Sequence, residues 1–227
     1  MALTLADLIA NRTLGPDMAA LLAAAIEERR SLLVVAIPRN AGKTTLMTAV
    51  LEERPDGVPL YMLGTRHGES LGIPEPDAPA GYLTMSEIAP HPVTDSYLWG
   101  ADVRRVFGAA HTQGQAIATA LHADGIDSAF NVIAQNGVPN EQASLIDVVV
   151  YIRLFGQWQD PERRVVETIH EVERIQRGQV VARLTHSWNE ATDQFETVTA
   201  PSSVSPQAYA HHLARFTEAA PPDARRS

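Results

Sequence analysis

Apolar positions change their spacing along the chain, and each change marks a structural unit. "ADLIANRTLGPDMAALLAAAIEERR" (6–30) reads as helical, with an amphipathic start. Gly15-Pro16 breaks that run, so two helices are predicted, the second with Asp17 near its start. "SLLVVAI" (31–37) is a short continuous apolar run of the kind found in buried parallel strands. Helical spacing resumes at Gly42 and runs to about Arg54, where Pro55-Asp56-Gly57 ends it. "VPLYML" (58–63) reads as a second buried strand. Proline and glycine are dense from Thr65 to Pro92, which predicts an irregular excursion with one short strand at "GYLTM" (81–85). "DSYLWG" (95–100) is the third strand of this reading, followed by a short helix over 102–111. "QAIATALHA" (115–123) makes a fourth strand, "DSAFNVIAQNG" (127–137) a helix closed by Gly137, and "LIDVVVYIRLF" (145–155) the next strand.

Beyond that point the period drops to two. "RRVVETIHEVERIQRGQVVARLTHSW" (163–188) alternates on either side of Arg177-Gly178, as a hairpin with one wet face does. A polar loop (199–206) precedes a last helix over 206–217, and the tail "PPDARRS" is expected to be disordered. Strands alternating with helices to about residue 150, then strands alone, predict an α/β core on a mainly parallel sheet with a β-rich extension. No internal repeat is visible.

The composition is that of an ordinary globular chain: 227 residues, 45% hydrophobic and 20% charged. The absence of cysteine excludes disulfides and thiolate metal sites and favours a reducing compartment. A net charge of −9 without any basic block disfavours nucleic acid as a partner. The start "MALTLADLIANRTL" lacks the basic region of a signal peptide, and no apolar run is long enough to span a bilayer.

Within this composition one residue stands apart. Lys43 is the only lysine among 18 lysines and arginines, and it lies in "AIPRNAGKTTL" (36–46). A buried strand, a tight turn and Gly42-Lys43-Thr44 opening a helix form the setting of a phosphate-binding loop. There the backbone N–H groups of Asn40, Ala41, Gly42, Lys43, Thr44 and Thr45 would face an anion at a helix N-terminus. The ammonium of Lys43 is a compact charge on a long stem, suited to β and γ oxygens, and the Thr44 hydroxyl is suited to Mg²⁺. The usual loop begins with a glycine five residues before Gly42, where this chain has Ile37, and Pro38 removes one donor.

These pieces resemble the secretion ATPases of type II and type IV secretion and pilus assembly, over about residues 3 to 197. "LTLADLIANRTLGPDMAALLAAAIEERRSLLVVAIPRNAGKTTLMTAVL" is similar to the family's lead-in and Walker A segment. "ATALHADGIDSAFNVI" is similar to its histidine box, and "LIDVVVYIRL" with "RRVVETIHEVE" to its closing strand and hairpin. The resemblance implies a RecA-like P-loop NTPase core with a mainly parallel sheet, an antiparallel β-hairpin extension and a C-terminal helix. The expected division is a helical lead-in (1–30), the ATPase domain with its hairpin (31–200), the C-terminal helix (201–217) and the tail (218–227). ATP and Mg²⁺ are the implied ligands. Implied partners are other ATPase subunits or components of a membrane machine, on the cytoplasmic face of an inner-membrane assembly and without insertion into it. The N-terminal domain usual in the family has no counterpart, so a monomer or small oligomer is expected for the chain alone.

Departures from the family pattern shape the expected chemistry. "DSYLWGADVRR" is read as the Walker B segment, with Asp95 and Gly100 in place and Ala101 where the family has its water-polarising glutamate. Gly64 stands where the acidic box has a glutamate, and Gln115 where a histidine is typical. Hydrolysis is therefore expected to be weak or lost. Asp102 or Asp95 is the substitute candidate for orienting water, and His122 the candidate contact to the γ-phosphate. A non-catalytic nucleotide-binding subunit and a small-molecule P-loop kinase are the other two readings, the kinase disfavoured because Arg66 is the only arginine in the 65–92 excursion. Arg104 and Arg105 are open between phosphate contact and surface charge. Arg163-Arg164 is expected to pair across strands with Glu167 or Glu171.

Overall fold

The computed structural model describes residues 2–91 and 93–220; the predicted tail lies outside them apart from its first three residues, 218–220. Two helices open the chain, α1 (Leu5–Ala10) and α2 (Pro16–Glu27), separated at Gly15 as the broken pattern predicts. Thr4 caps α1 and Asp7 returns the bond to the Thr4 backbone, so both orphan donors of that end are satisfied. Then follow β1 (Ser31–Val35), α3 (Lys43–Leu51), β2 (Leu60–Met62), β3 (Tyr82–Thr84), β4 (Glu87–Ile88) and β5 (Tyr97–Leu98). The central part continues with α4 (Ala101–Gln113), β6 (Ala116–Leu121), α5 (Ile126–Gln135) and the single turn α6 (Asn140–Ala143). The chain ends with β7 (Ile146–Gln157), β8 (Asp160–Gln176), β9 (Gln179–Asn189), β10 (Gln194–Thr197) and α7 (Pro206–Ala219).

One large sheet organises the molecule, in the order β10-β9-β8-β7-β1-β6-β3-β2, with β4 paired to β6 and β5 to β4. Pairs from β2 to β7 are parallel, and those from β7 to β10 antiparallel. The fold is thus mixed α/β, mostly parallel at its centre, with an antiparallel region at one side. Strand β1 is buried on both faces, which is why it reads as an unbroken apolar run. Leu32 and Val34 face a core layer with α1, α2, α3 and α7, while Leu33 and Val35 face the layer of α4 and α5. The small side chains of β6 and α2, Ala116, Ala118 and Ala120 with Ala19 to Ala25, let the first layer pack tightly. The hairpin turn lies where the alternation places it: Arg177 and Gly178 both have positive φ (53° and 78°), the conformation of a two-residue primed turn.

Three expectations need correction. The "VPLYML" strand is not buried: β2 is the sheet edge, with Met62 57% exposed. The third strand of the parallel core is "GYLTM", not "DSYLWG". Strand β3 is wholly buried between β6 and β2, whereas β5 is two residues long and lies off the main path. The helix after Gly100 is also longer than the predicted 102–111, running from Ala101 to Gln113.

Candidate functional site

Parallel strands deliver their C-terminal ends to one edge of a sheet, and here three such ends converge. Val35 pairs with Leu121, and Ile88 of β4 pairs with that same Leu121. This register puts Glu87, His122 and the loop after β1 side by side. The loop enters α3 through two residues of positive φ, Asn40 (60°) and Gly42 (94°). Ile37 does not share that conformation and its side chain is 55% exposed, so the missing glycine costs nothing in sterics at that position. Among the described residues, the N–H groups of residues 40 to 45 meet no protein acceptor; the first α3 amide that does is Leu46, bonded to the Gly42 carbonyl at 2.9 Å.

Lys43 leaves the start of α3 with a side chain only 7% exposed. Its Nζ lies 3.5 Å from Glu87 Oε2 and 3.4 Å from His122 Nε2. Glu87, also 7% exposed, places Oε1 3.0 Å from His122 Nε2. The other ring nitrogen of His122 lies 2.5 Å from the Ile37 carbonyl, which can only accept. Both ring nitrogens therefore face acceptors, an arrangement suited to the imidazolium.

The electrostatics agree with that geometry. The bond to Glu87 raises His122 above the usual histidine value, against opposition from burial and from Lys43. Burial lowers the Lys43 ammonium, and the Glu87 charge only partly restores it. Burial pushes the Glu87 carboxyl up, but His122 and Lys43 together outweigh it and hold the group below the ordinary carboxylate range. Tyr97 is raised by burial and by the Glu87 charge. A cleft of about 1020 Å³ opens over these groups, lined further by Thr44, Thr45, Arg39, Arg163 and Arg164, and reaching Leu8 and Asn11 of the lead-in.

The six predicted loop residues and His122 are brought together. Asp95 and Asp102 are not. Asp95 sits on an exposed loop, 3.9 Å from Arg66, and Asp102 lies in the first turn of α4, 3.9 Å from Arg105. Neither lines the cleft. The carboxylate beside Lys43 is Glu87 instead, which carries no periodic signal because it follows a short strand inside the Pro- and Gly-rich excursion. The signal present was an apolar run, "GYLTM", with a carboxylate two residues beyond it. Gly64 has a packing reason: a Cβ there would lie 2.7 Å from the Asp95 carbonyl oxygen. Gln115 is buried and accepts the Gly81 N–H at 2.6 Å, bracing the entry to β3.

The arginines also sort differently from expectation. Arg104 donates to the Asn136 carbonyl at 2.7 Å and Arg105 to that of Glu69, both away from the cleft. Glu167 pairs with Arg153 and Glu171 with Arg183, whereas Arg163 goes to Asp193 at 2.7 Å. Arg164 reaches the Asn40 carbonyl instead, at 2.8 Å.

No family description matches the chain, and no curated protein matches it. Among solved structures it is similar to the VirB11 ATPase of the Brucella suis type IV secretion system in complex with sulphate, with a TM-score of 0.44 at 17% identity. The match covers 68% of this chain and 52% of that one, so the chain spans about half the length of that protein. Similarity of this size assigns neither an activity nor a partner. Among the described residues, no helix is long and apolar enough to cross a membrane.

Proposed function

We propose that the chain is a P-loop NTPase domain of the secretion and pilus-assembly type, RecA-like in its core, which binds ATP with Mg²⁺ at residues 40–45 and hydrolyses it. The observation that carries this reading is the row of N–H groups from residue 40 to 45, unpaired among the described residues, around a buried Lys43 and inside a cleft that also holds Glu87. A bare row of donors at a helix N-terminus is an anion site, and the left-handed residues Asn40 and Gly42 give the loop its turn. The cleft volume of about 1020 Å³ is at the upper end of the range for small-molecule sites.

Each residue has a task in this proposal. The loop amides and Lys43 take the β and γ oxygens. Thr44 lines the cleft, and its hydroxyl has no protein partner among the described residues, which fits it to hold Mg²⁺. When bound, the metal supplies positive charge at the phosphate oxygens. Glu87 accepts the proton of the water that attacks the γ-phosphorus, as the bond to the β,γ-bridging oxygen breaks and ADP and phosphate leave. His122 holds Glu87 in place through the 3.0 Å contact. Weak or lost hydrolysis is the expectation from Ala101, Gly64 and Gln115 together; the carboxylate of Glu87, 3.5 Å from Lys43, is what supports turnover in this proposal. Asp95 and Asp102 have no part in it.

Partners are proposed on the same footing: subunits of a secretion or pilus machine at the cytoplasmic side of a membrane. The sequence resemblance supports this.

The test is titration of purified protein with Mg·ATP by calorimetry, with phosphate release followed on the same sample and Lys43→Ala in parallel. Binding lost in Lys43→Ala with turnover in the wild type is the expected result. Equal affinity in both proteins refutes the nucleotide site, and binding without turnover leaves a non-catalytic subunit.

A further inference from the structure

Asn40 is the one residue of the phosphate loop other than glycine with a left-handed backbone, φ 60°. Such a conformation persists where neighbours hold it. Both holders come from a single hairpin more than a hundred residues along the chain. Asn40 Nδ2 donates to the Trp158 carbonyl at the β7–β8 turn, at 3.2 Å, and the Asn40 carbonyl accepts from Arg164 Nε of β8, at 2.8 Å. The Arg164 stem also passes the loop closely: a Cβ on Gly42 would lie 3.1 Å from Arg164 Cδ.

The geometry of the peptide unit makes this contact consequential. In a trans peptide the carbonyl and the following N–H point in opposite directions. Holding the Asn40 carbonyl toward Arg164 therefore turns the Ala41 N–H the other way, where it meets no protein acceptor among the described residues. That N–H is one of the row that forms the cradle. Arg164 also keeps its charge free, for no carboxylate lies within ion-pair distance of it among the described residues. Its neighbour Arg163 is occupied by Asp193 and by the face of Trp188.

We propose that Arg164 is a positioning residue of the phosphate loop: through the Asn40 carbonyl it fixes the 40–41 peptide so that the Ala41 N–H is presented to the bound phosphate. The β7–β8 hairpin thereby belongs to the nucleotide site, acting from within the same chain. This rests on the nucleotide reading and deepens it.

The probe is Mg·ADP, titrated by calorimetry into the wild type, Arg164→Met, Arg164→Lys and Lys43→Ala, with the backbone amide signal of Ala41 followed by NMR. Arg164→Met is expected to bind about tenfold or more weakly, the scale of one charge-assisted hydrogen bond. Arg164→Lys keeps the charge but not the planar N–H aimed at Asn40, and recovers only part of the loss. In both variants the shift of the Ala41 amide on adding Mg·ADP shrinks, while those of Lys43 and Thr44 remain; a general brace would not single out that amide. The inference is overturned if Arg164→Met binds within twofold of wild type, if Arg164→Lys binds as wild type does, or if the Ala41 shift is unchanged. Should Lys43→Ala also bind normally, the nucleotide reading itself has failed. Should Lys43→Ala lose binding while the Arg164 variants retain it, only the role of Arg164 falls.

Discussion

Replacing Glu87 by Gln separates two effects that normally move together. The carboxylate and Lys43 are each 7% exposed and 3.5 Å apart. At an effective dielectric of about 20, two unit charges at that distance attract by about 5 kcal/mol, most of which desolvation offsets. Removing one partner of a buried pair typically costs about 3–5 kcal/mol, because the other charge is left alone. The cleft lets water reach Lys43, so the low end of that range, about 3 kcal/mol, is expected for the free protein. A phosphate entering the wild-type cleft must first draw Lys43 away from Glu87; in the variant that competition is gone. Affinity for Mg·ADP should therefore rise, by about 10–100-fold, since each 1.4 kcal/mol is a factor of about ten. Turnover should fall by about 10²–10⁴-fold with the loss of the proton acceptor. Calorimetric titration gives the first quantity and single-turnover phosphate release the second, with thermal unfolding showing a deficit in the free variant that Mg·ADP reverses. Weaker binding by Glu87→Gln, or turnover near the wild-type rate, would refute the reasoning.

Gly42→Ala forces a side chain onto a backbone at φ 94° and against Arg164 Cδ at 3.1 Å. Strain of about 1–3 kcal/mol is expected, visible as a lower unfolding midpoint and about tenfold or more weaker Mg·ADP binding. Asp95→Asn and Asp102→Asn should each leave steady-state phosphate release within about twofold of wild type, since neither residue lines the cleft. His186 of β9 is 1% exposed, its Nε2 has no partner among the described residues, and burial pushes its pKa from 6.5 down to about 4. Above pH 6.5 neither the folded nor the unfolded chain is protonated there; below it the unfolded chain takes up a proton first, so stability falls until the folded chain follows at about 4. The full loss is about 3 kcal/mol, and urea unfolding across that window should be flatter in His186→Leu.

The strand, turn and helix around Lys43 were legible because their signals are local. A buried strand, Gly42-Lys43-Thr44 and a helix lie in one stretch, and the lone lysine marks them. The β8–β9 turn was legible for the same reason, from alternation and the Arg177-Gly178 pair. Glu87 was not, because its position is set by register rather than by neighbours in sequence. Strands of three and two residues show no period, and only the pairing of Ile88 with Leu121 brings that carboxylate to Lys43. "DSYLWG" carried stronger aromatic and apolar character, yet it lies beyond the core strands. Edge and centre are likewise properties of sheet order, which is why β2 was read as buried. The partners of Arg163 and Arg164 depend on how the hairpin folds over the loop, and no cross-strand rule anticipates a backbone carbonyl 124 residues away.

That last separation bears on how the protein is made. A ribosome delivers the N-terminal part first, so the strand, loop and helix around Lys43 emerge well before Trp158 and Arg164 exist. Until those residues arrive, Asn40 lacks both of the bonds that hold its left-handed backbone. On the proposed nucleotide reading, nucleotide would then bind the finished chain rather than its growing fragment. Ligand stabilisation acts only on states that bind, so under that proposal it would favour molecules whose antiparallel strands have docked over incomplete ones.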